Sequence, residues 1–222
     1  MPPGVNITSM PDSSLTRPYR GVAAADRVAA RRAALIDAAL EVFAADGWAA
    51  LSARRVSEQA GLTRRYFYES FDDIDDLIAA AFERISSEAR DAVRAAVADG
   101  AAPLPDLVKR AVSAALDVLA VPASKGRFFV VAQSVSSAMP YQARAVDDLA
   151  AIAEALISTH REGVRPLGTR EARVTALILV GAGRSIIDSW LAQAVDLSRD
   201  EVVSWTATVV VGIIDAVTTR QR

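Results

Sequence analysis

Apolar residues recur at three- and four-residue spacing along almost the whole of this chain, the period of an amphipathic α-helix and not of a strand. Alanine fills 45 of the 222 positions. It is the best helix former because it loses no side-chain freedom in a helix. Together these features predict an all-α protein. Val209-Val210-Val211 and Ile213-Ile214 are β-branched, as strands prefer. Even there, Val202, Trp205, Val209, Ile213 and Val217 hold the helical spacing.

Turn residues cut this period into segments. The first helix is expected from about Asp26 to Asp46, ended by Gly47, which can adopt positive φ. A short helix follows over Ala53 to Ala60 with Ser52 as N-cap, and a third begins at Thr63 and runs to about Phe71. Asp73 caps a long fourth helix that keeps Ile74, Leu77, Ile78, Ala81, Phe82, Ile85, Ala89, Val93 and Ala96 in period. Asp99-Gly100 and the Pro103/Pro105 pair end it. Beyond lie a helix through Leu107 to Leu119, a shorter one over about 125–136, one from Pro140 to about Glu162, and two final helices over about 170–194 and 199–219. The last two are apolar on more than one face, so each needs partners on two sides.

Composition excludes several classes of chemistry. The chain has no Cys and one His, His160, so disulfides, thiolate sites, a Cys nucleophile and a multi-histidine metal site are ruled out. No nucleophile–base pair, phosphate loop or metal cluster is visible, so no catalytic residue, cofactor or metal is expected; an enzyme is the least supported class. Gly181-Ala182-Gly183 lacks the third glycine of a dinucleotide motif and reads as close helix packing. The first twenty or so residues, with Pro2, Pro3, Pro11 and Pro18, lack a signal-peptide core and read as a disordered tail. The apolar stretch from Val174 to Val195 is interrupted by Arg184 and Asp188, which argues against a membrane span. A cytoplasmic protein without membrane attachment is the expectation. The net charge of −2 hides an asymmetry: residues 1–71 hold 9 Arg against 7 acids, while the rest of the chain is acidic on balance.

The basic portion contains the most specific signal. Two short helices are joined by Ala60-Gly61-Leu62-Thr63, where Gly61 permits a sharp turn and Leu62 plugs the corner. Val56, Ala60, Phe67 and Phe71 supply a shared core. This is the pattern of a helix-turn-helix, whose second helix enters the DNA major groove with its N-terminal residues at the base edges. Those residues are Arg64, Arg65 and Tyr66. Arginine can bridge guanine O6 and N7 with two hydrogen bonds. Thr63 and Ser52 can offer hydroxyls and helix N-termini to phosphates, and Arg54 projects from the first turn of the preceding helix.

These residues resemble the DNA-binding domain of TetR-family transcriptional repressors. The matching stretches are Leu35 to Phe43, Asp46-Gly47-Trp48, Val56 to Thr63, and Phe67-Tyr68-Glu69-Ser70-Phe71 before Leu77. The resemblance implies a disordered tail over 1–22, a helix-turn-helix domain over 23–72, and a second helical domain over 73–222 that binds a ligand and dimerises through its last two helices. It implies a homodimer on a palindromic double-stranded operator, and it places Tyr68 near backbone phosphates. Two positions depart from the family pattern: Arg65 stands where many relatives carry Gly, and Ile74, amid Asp72 to Asp76, where they tend to carry Lys. Arg17, Arg20, Arg27, Arg31 and Arg32 are candidates to restore positive charge.

The implied ligand site has bulky candidates in Phe82, Phe128, Phe129, Met139, Tyr141 and Trp190, with Gln133, Tyr141 and His160 supplying polarity. Charge is scarce there, so a small hydrophobic ligand is expected, one that releases a repressor from DNA. The alternative is a helical DNA-binding or interaction protein with no small-molecule inducer; an internal cavity would discriminate between the two. For the dimer, Gly181, Gly183, Ile187, Val202, Val209 and Ile213 are the candidate contacts.

Overall fold

The computed structural model describes residues 20–159 and 167–219, and every regular element among them is helical. The order is α1 (Arg20–Asp46), a 3-10 turn (Trp48–Ala50), α2 (Ala53–Gln59), α3 (Arg64–Tyr68), α4 (Ile74–Ala96), α5 (Leu104–Leu119), α6 (Ala123–Ala132), a second 3-10 turn (Ser136–Ala138), α7 (Met139–Thr159), α8 (Thr169–Leu191) and α9 (Arg199–Thr219). Helix α1 begins at Arg20, before the expected Asp26 and inside the span assigned to the tail. The extension reaches back across Gly21 to within two residues of Pro18, and Ala23 to Ala25 favour helix. Residues 1–19 of the expected tail, with Arg17, lie outside the described residues.

The capping chemistry read from the sequence is present at two helix starts. Ser52 accepts a hydrogen bond from the Arg55 backbone N–H, and Asp73 accepts one from Asp76 at 2.8 Å. Gly47 and Gly61 take φ of +80° and +64°, where a side chain would be strained. Helix α6 is shorter than the 125–136 expected. The Ser134 hydroxyl donates to the Val131 carbonyl, one of the local bonds by which serines compete with helical pairing.

One hydrophobic core runs from the helix-turn-helix into the body of the molecule. Leu35, Phe43, Val56, Phe67 and Phe71 join Leu77, Phe82 and Ile85 of α4, then Phe128 and Phe129 of α6. Helix α4, 23 residues and about 34 Å long at 1.5 Å per residue, passes through all of it. Two smaller clusters complete the body. Leu116 packs on Val202 and Val203 between α5 and α9, and Ala150 and Ile157 of α7 meet Ala176 and Leu179 of α8 and Ile214 of α9. Helices α8 and α9 are long and apolar enough to cross a membrane by length and composition. Here their apolar residues divide between these clusters and an exposed face.

Within the single chain, the close helix approach is at Gly126 and not at Gly181 or Gly183. A Cβ on Gly181 would meet nothing within 4 Å, and one on Gly183 only Thr206 Cγ2 at 3.9 Å. At Gly126 it would fall 2.6 Å from the Leu119 carbonyl oxygen and 2.7 Å from Leu191 Cδ2. The first contact is backbone and cannot swing aside. Gly126→Ala should therefore destabilise the fold by about 1–3 kcal/mol, as overpacking does. Thermal melting checks this: an unchanged midpoint would mean that α6 is not held as tightly against α5 and α8 as described.

Candidate nucleic-acid interface and ligand cavity

Helices α2 and α3 are too short to stand alone, and the shared core holds them. Val56 and Phe67 are fully buried, and the Leu62 N–H bonds the Ser57 carbonyl across the turn. The N-cap residue of α3 is Thr63, whose hydroxyl makes no capping hydrogen bond. Arg64, Arg65 and Tyr68 are exposed, Tyr68 by 60%. Tyr66 is half-buried, with the Arg31 guanidinium 4.5 Å above its ring; Arg32 lies similarly over Phe71. Arg31 and Arg32 are thus α1 residues stacked on the head, which ties them to a fixed place beside α3.

The arginines differ in their partners. Arg54 pairs with Glu58 at 2.8 Å and Arg65 with Glu69 at 2.9 Å, both one helical turn apart and well exposed. Exposed pairs of this kind contribute about 0–1 kcal/mol, so either arginine can change partners at little cost. Arg55 instead turns back to Asp46 and Gln59, bracing α2 against α1. Glu58 collects the charges. Its carboxyl lies below the usual carboxylate range because Arg54 hydrogen-bonds it and because Arg54, Arg55 and Arg64 surround it. Arg54 is pushed up by the same bond.

Between α4, α5, α7, α8 and α9 lies a cavity of about 210 Å³. Its wall is overwhelmingly apolar, including Phe82, Val108, Leu149, Leu179 and Val210. Phe129 lines it too, stacked on Phe82 with ring centroids 4.8 Å apart. The remaining ligand candidates sit elsewhere. Phe128 is fully buried against the head, 5.3 Å from the Phe43 ring and 6.1 Å from Trp48. Met139 is 65% exposed at the start of α7. Tyr141 packs on the first core. Trp190 packs behind the wall, donating its indole N–H to the Leu197 carbonyl at 2.7 Å. Gln133 is one layer back, holding Asp188 and Arg184. Adjacent residues on a helix point about 100° apart, and here Phe129 faces the cavity while Phe128 faces Phe43 and Trp48. His160 lies outside the described residues.

The polar lining is not among the residues that bulk singles out in the sequence. It consists of Ser86, Arg90, Gln142, Arg184, Asp188 and Thr206. Arg90 is 5% exposed and held by Glu83, Ser86 and Asp148. Arg184 pairs with Asp188 at 3.3 Å and donates to Gln142 at 3.1 Å. Burial raises the Asp188 carboxyl above its ordinary value, against hydrogen bonds and charge from Gln133 and Arg184 that lower it. Two signals were available: Arg90 follows Phe82 and Ser86 at four-residue spacing on the inward face of α4, and Arg184 and Asp188 form an i,i+4 pair inside an apolar helix. Among the described residues, no group of three or more acids or histidines could hold a metal.

The model for bacterial regulatory proteins of the tetR family matches residues 35–81, from the middle of α1 to the second turn of α4. Residues 35–81 thus carry the tetR-family domain of bacterial regulatory proteins. No curated protein sequence matches it. Its fold is shared with solved structures at low identity. Multidrug binding protein EbrR complexed with imidazole is 22% identical, with a TM-score of 0.60 over 82% of this chain and 94% of EbrR. A TetR-like transcriptional regulator from Rhodococcus sp. RHA1 is 18% identical, at 0.60 over 87% and 98%. A TetR family regulator from Marinobacter aquaeolei VT8 is also 18% identical, at 0.57 over 85% and 97%. As in that family, the helix-turn-helix of this regulator is its DNA-binding part.

The regulator's head and body meet through Phe128. Phe128→Ala should cost about 3–5 kcal/mol, the range for deleting a buried aromatic ring. Amide hydrogen exchange at the end of α1, around Phe43, should accelerate more than in α9. Equal acceleration in both helices would show that Phe128 supports the whole fold and not this junction.

Proposed function

We propose that this TetR-family regulator is a homodimeric repressor that a small, mainly apolar ligand releases from a palindromic operator in the cytoplasm. The observation that carries the reading is on α6. Phe128 fills the space between Phe43 and Trp48 of the head, and the next residue, Phe129, forms part of the cavity wall. A ligand that shifts Phe129 therefore acts on the helix that seats the head. Helix α4 offers a second route, since Leu77 and Ile78 pack with the head and Phe82 lines the cavity. DNA asks for two recognition helices about 34–36 Å apart, or a multiple of that. The ligand then shifts the balance only by its differential affinity for dimers of different spacing. A cavity of about 210 Å³ favours this reading over a DNA-binding protein without an inducer. So does the bound imidazole of EbrR.

The proposed dimer uses the exposed side of α8 and α9. Val174, Leu177 and Ile178 on α8, with Trp205 and Val209 on α9, follow helical spacing and are 36–60% exposed. The contact set differs from that expected from sequence: Val202 is fully buried, and Ile187 and Ile213 pack against the inner clusters. An isologous four-helix contact would cover this stripe. Ile178→Glu combined with Trp205→Glu should give folded monomers by sedimentation. A stable wild-type monomer at micromolar concentration would contradict the dimer.

For DNA recognition, Arg64 and Arg65 are proposed base readers and Ser52, Arg54, Thr63 and Tyr68 proposed phosphate contacts, with Tyr66 beside them. Against an operator selected from random DNA, Arg64→Ala should cost about 1–3 kcal/mol and relax sequence preference. Arg54→Ala should weaken all sequences alike. Glu58→Gln should strengthen binding and steepen its salt dependence, because it frees Arg54 and removes a charge beside Arg64. Unchanged affinity in the Arg64→Ala, Arg65→Ala double variant at fixed salt would overturn the assignment of α3.

A further inference from the structure

Six polar side chains reach the cavity wall, and five of them are hydrogen-bonded to protein. Arg90 is held on three sides by Glu83, Ser86 and Asp148. Gln142 is occupied at both ends, donating to the Gln133 carbonyl at 2.9 Å and accepting from Arg184. Asp188 accepts from Gln133 through one oxygen and from Arg184 through the other. Thr206, on α9, is the exception. It is 7% exposed, it lines the cavity, and its hydroxyl oxygen is buried with no hydrogen-bond partner. A buried hydroxyl without a partner is costly, which makes a ligand atom that satisfies it correspondingly favourable.

Charge bears on the ligand as strongly as this hydroxyl does. Both guanidinium groups in the wall already have carboxylate partners. An anionic ligand would have to draw an arginine from its acid, and a cationic one the reverse. Either leaves a partly buried charge unpaired, which costs several kcal/mol. A neutral ligand disturbs neither pair. Size sets the remaining bound. An apolar cavity of about 150 Å³ accepts benzene, so about 210 Å³ suits a ring with a short substituent.

Resting on the reading that this cavity takes the regulator's ligand, we propose that the ligand is a neutral molecule the size of a substituted benzene, carrying one hydroxyl or carbonyl oxygen that pairs with the Thr206 hydroxyl once a turn about χ1 exchanges its methyl and hydroxyl positions and brings the hydroxyl to the wall. The apolar body lies against Phe82, Phe129 and the aliphatic wall, and the oxygen meets α9. Thr206 is then the residue that selects an oxygenated ligand over a hydrocarbon of the same shape.

The test titrates the full-length dimer with four probes of similar shape: 4-ethylphenol, ethylbenzene, 4-ethylbenzoate and 4-ethylbenzylammonium. Calorimetry reads binding, and release of labelled operator is read in the same samples. In the wild type, 4-ethylphenol should bind more tightly than either charged probe. The ratio of 4-ethylphenol to ethylbenzene affinity should fall about tenfold in Thr206→Val, which keeps the shape and removes the hydroxyl, and should hold in Thr206→Ser. An unchanged ratio in Thr206→Val, tightest binding by a charged probe, or no saturable binding of any probe would overturn the assignment. Release of operator by a charged probe would sink this ligand chemistry and leave the ligand-gated reading standing. Thr206-dependent binding of 4-ethylphenol without operator release would do the reverse.

Discussion

The contact between Phe128 and the pair Phe43 and Trp48 decides how the head of this molecule is carried. Its energy is that of a buried aromatic ring, several kcal/mol, which is a large part of the stability of an ordinary domain. The ring sits at the end of α1 and against the turn after it, so the direction in which α2 and α3 project depends on where α6 lies. Helix α6 in turn has little freedom. Gly126 is pressed against the Leu119 carbonyl and Leu191, and Phe129 is stacked on Phe82. A displacement of α6 from the cavity side would therefore displace the seat of the head as well, because closely packed interiors transmit strain.

The charged groups serve two different purposes on the two sides of this junction. On the head they are exposed, paired one helical turn apart, and cheap to re-pair with phosphate or base. Beside the cavity two arginines are buried or half-buried and paired: Arg90 with two acids, and Arg184 with Asp188 and two glutamines. Weak pairs suit a surface that must exchange partners with DNA. The pairs beside the cavity instead tie α4 and α8 to α7.

Much of the fold was legible because helix signals are local. The period of apolar residues, the caps at Ser52 and Asp73, and the breaks at Gly47 and Gly61 were read correctly from neighbours in sequence. The helix-turn-helix was legible for the same reason, since its core residues lie within about forty positions of one another. The cavity was not. Its wall comes from six helices, and which residue faces it depends on rotations that no local pattern fixes. Phe128 and Phe129 show the difficulty: as neighbours they look interchangeable, yet one seats the head and the other lines the cavity. In sequence Arg184 and Asp188 stand out only as interruptions of an apolar run, and their place in the wall depends on how α8 packs. Among the dimer candidates on α9, which has two apolar faces, Val202 lies on the inner face and Val209 on the exposed one.

The central claim is that filling the cavity changes DNA binding through α6. It can be tested without knowing the ligand, by filling the space with a side chain. Ala153 lines the cavity from α7, and Ala153→Phe would place a benzyl group in it. The measurement is the affinity of this variant for a selected operator, at fixed salt, in protein shown by sedimentation and circular dichroism to be a folded dimer. The account predicts a loss of at least tenfold against the wild type. A folded Ala153→Phe dimer that binds operator as tightly as the wild type would contradict it.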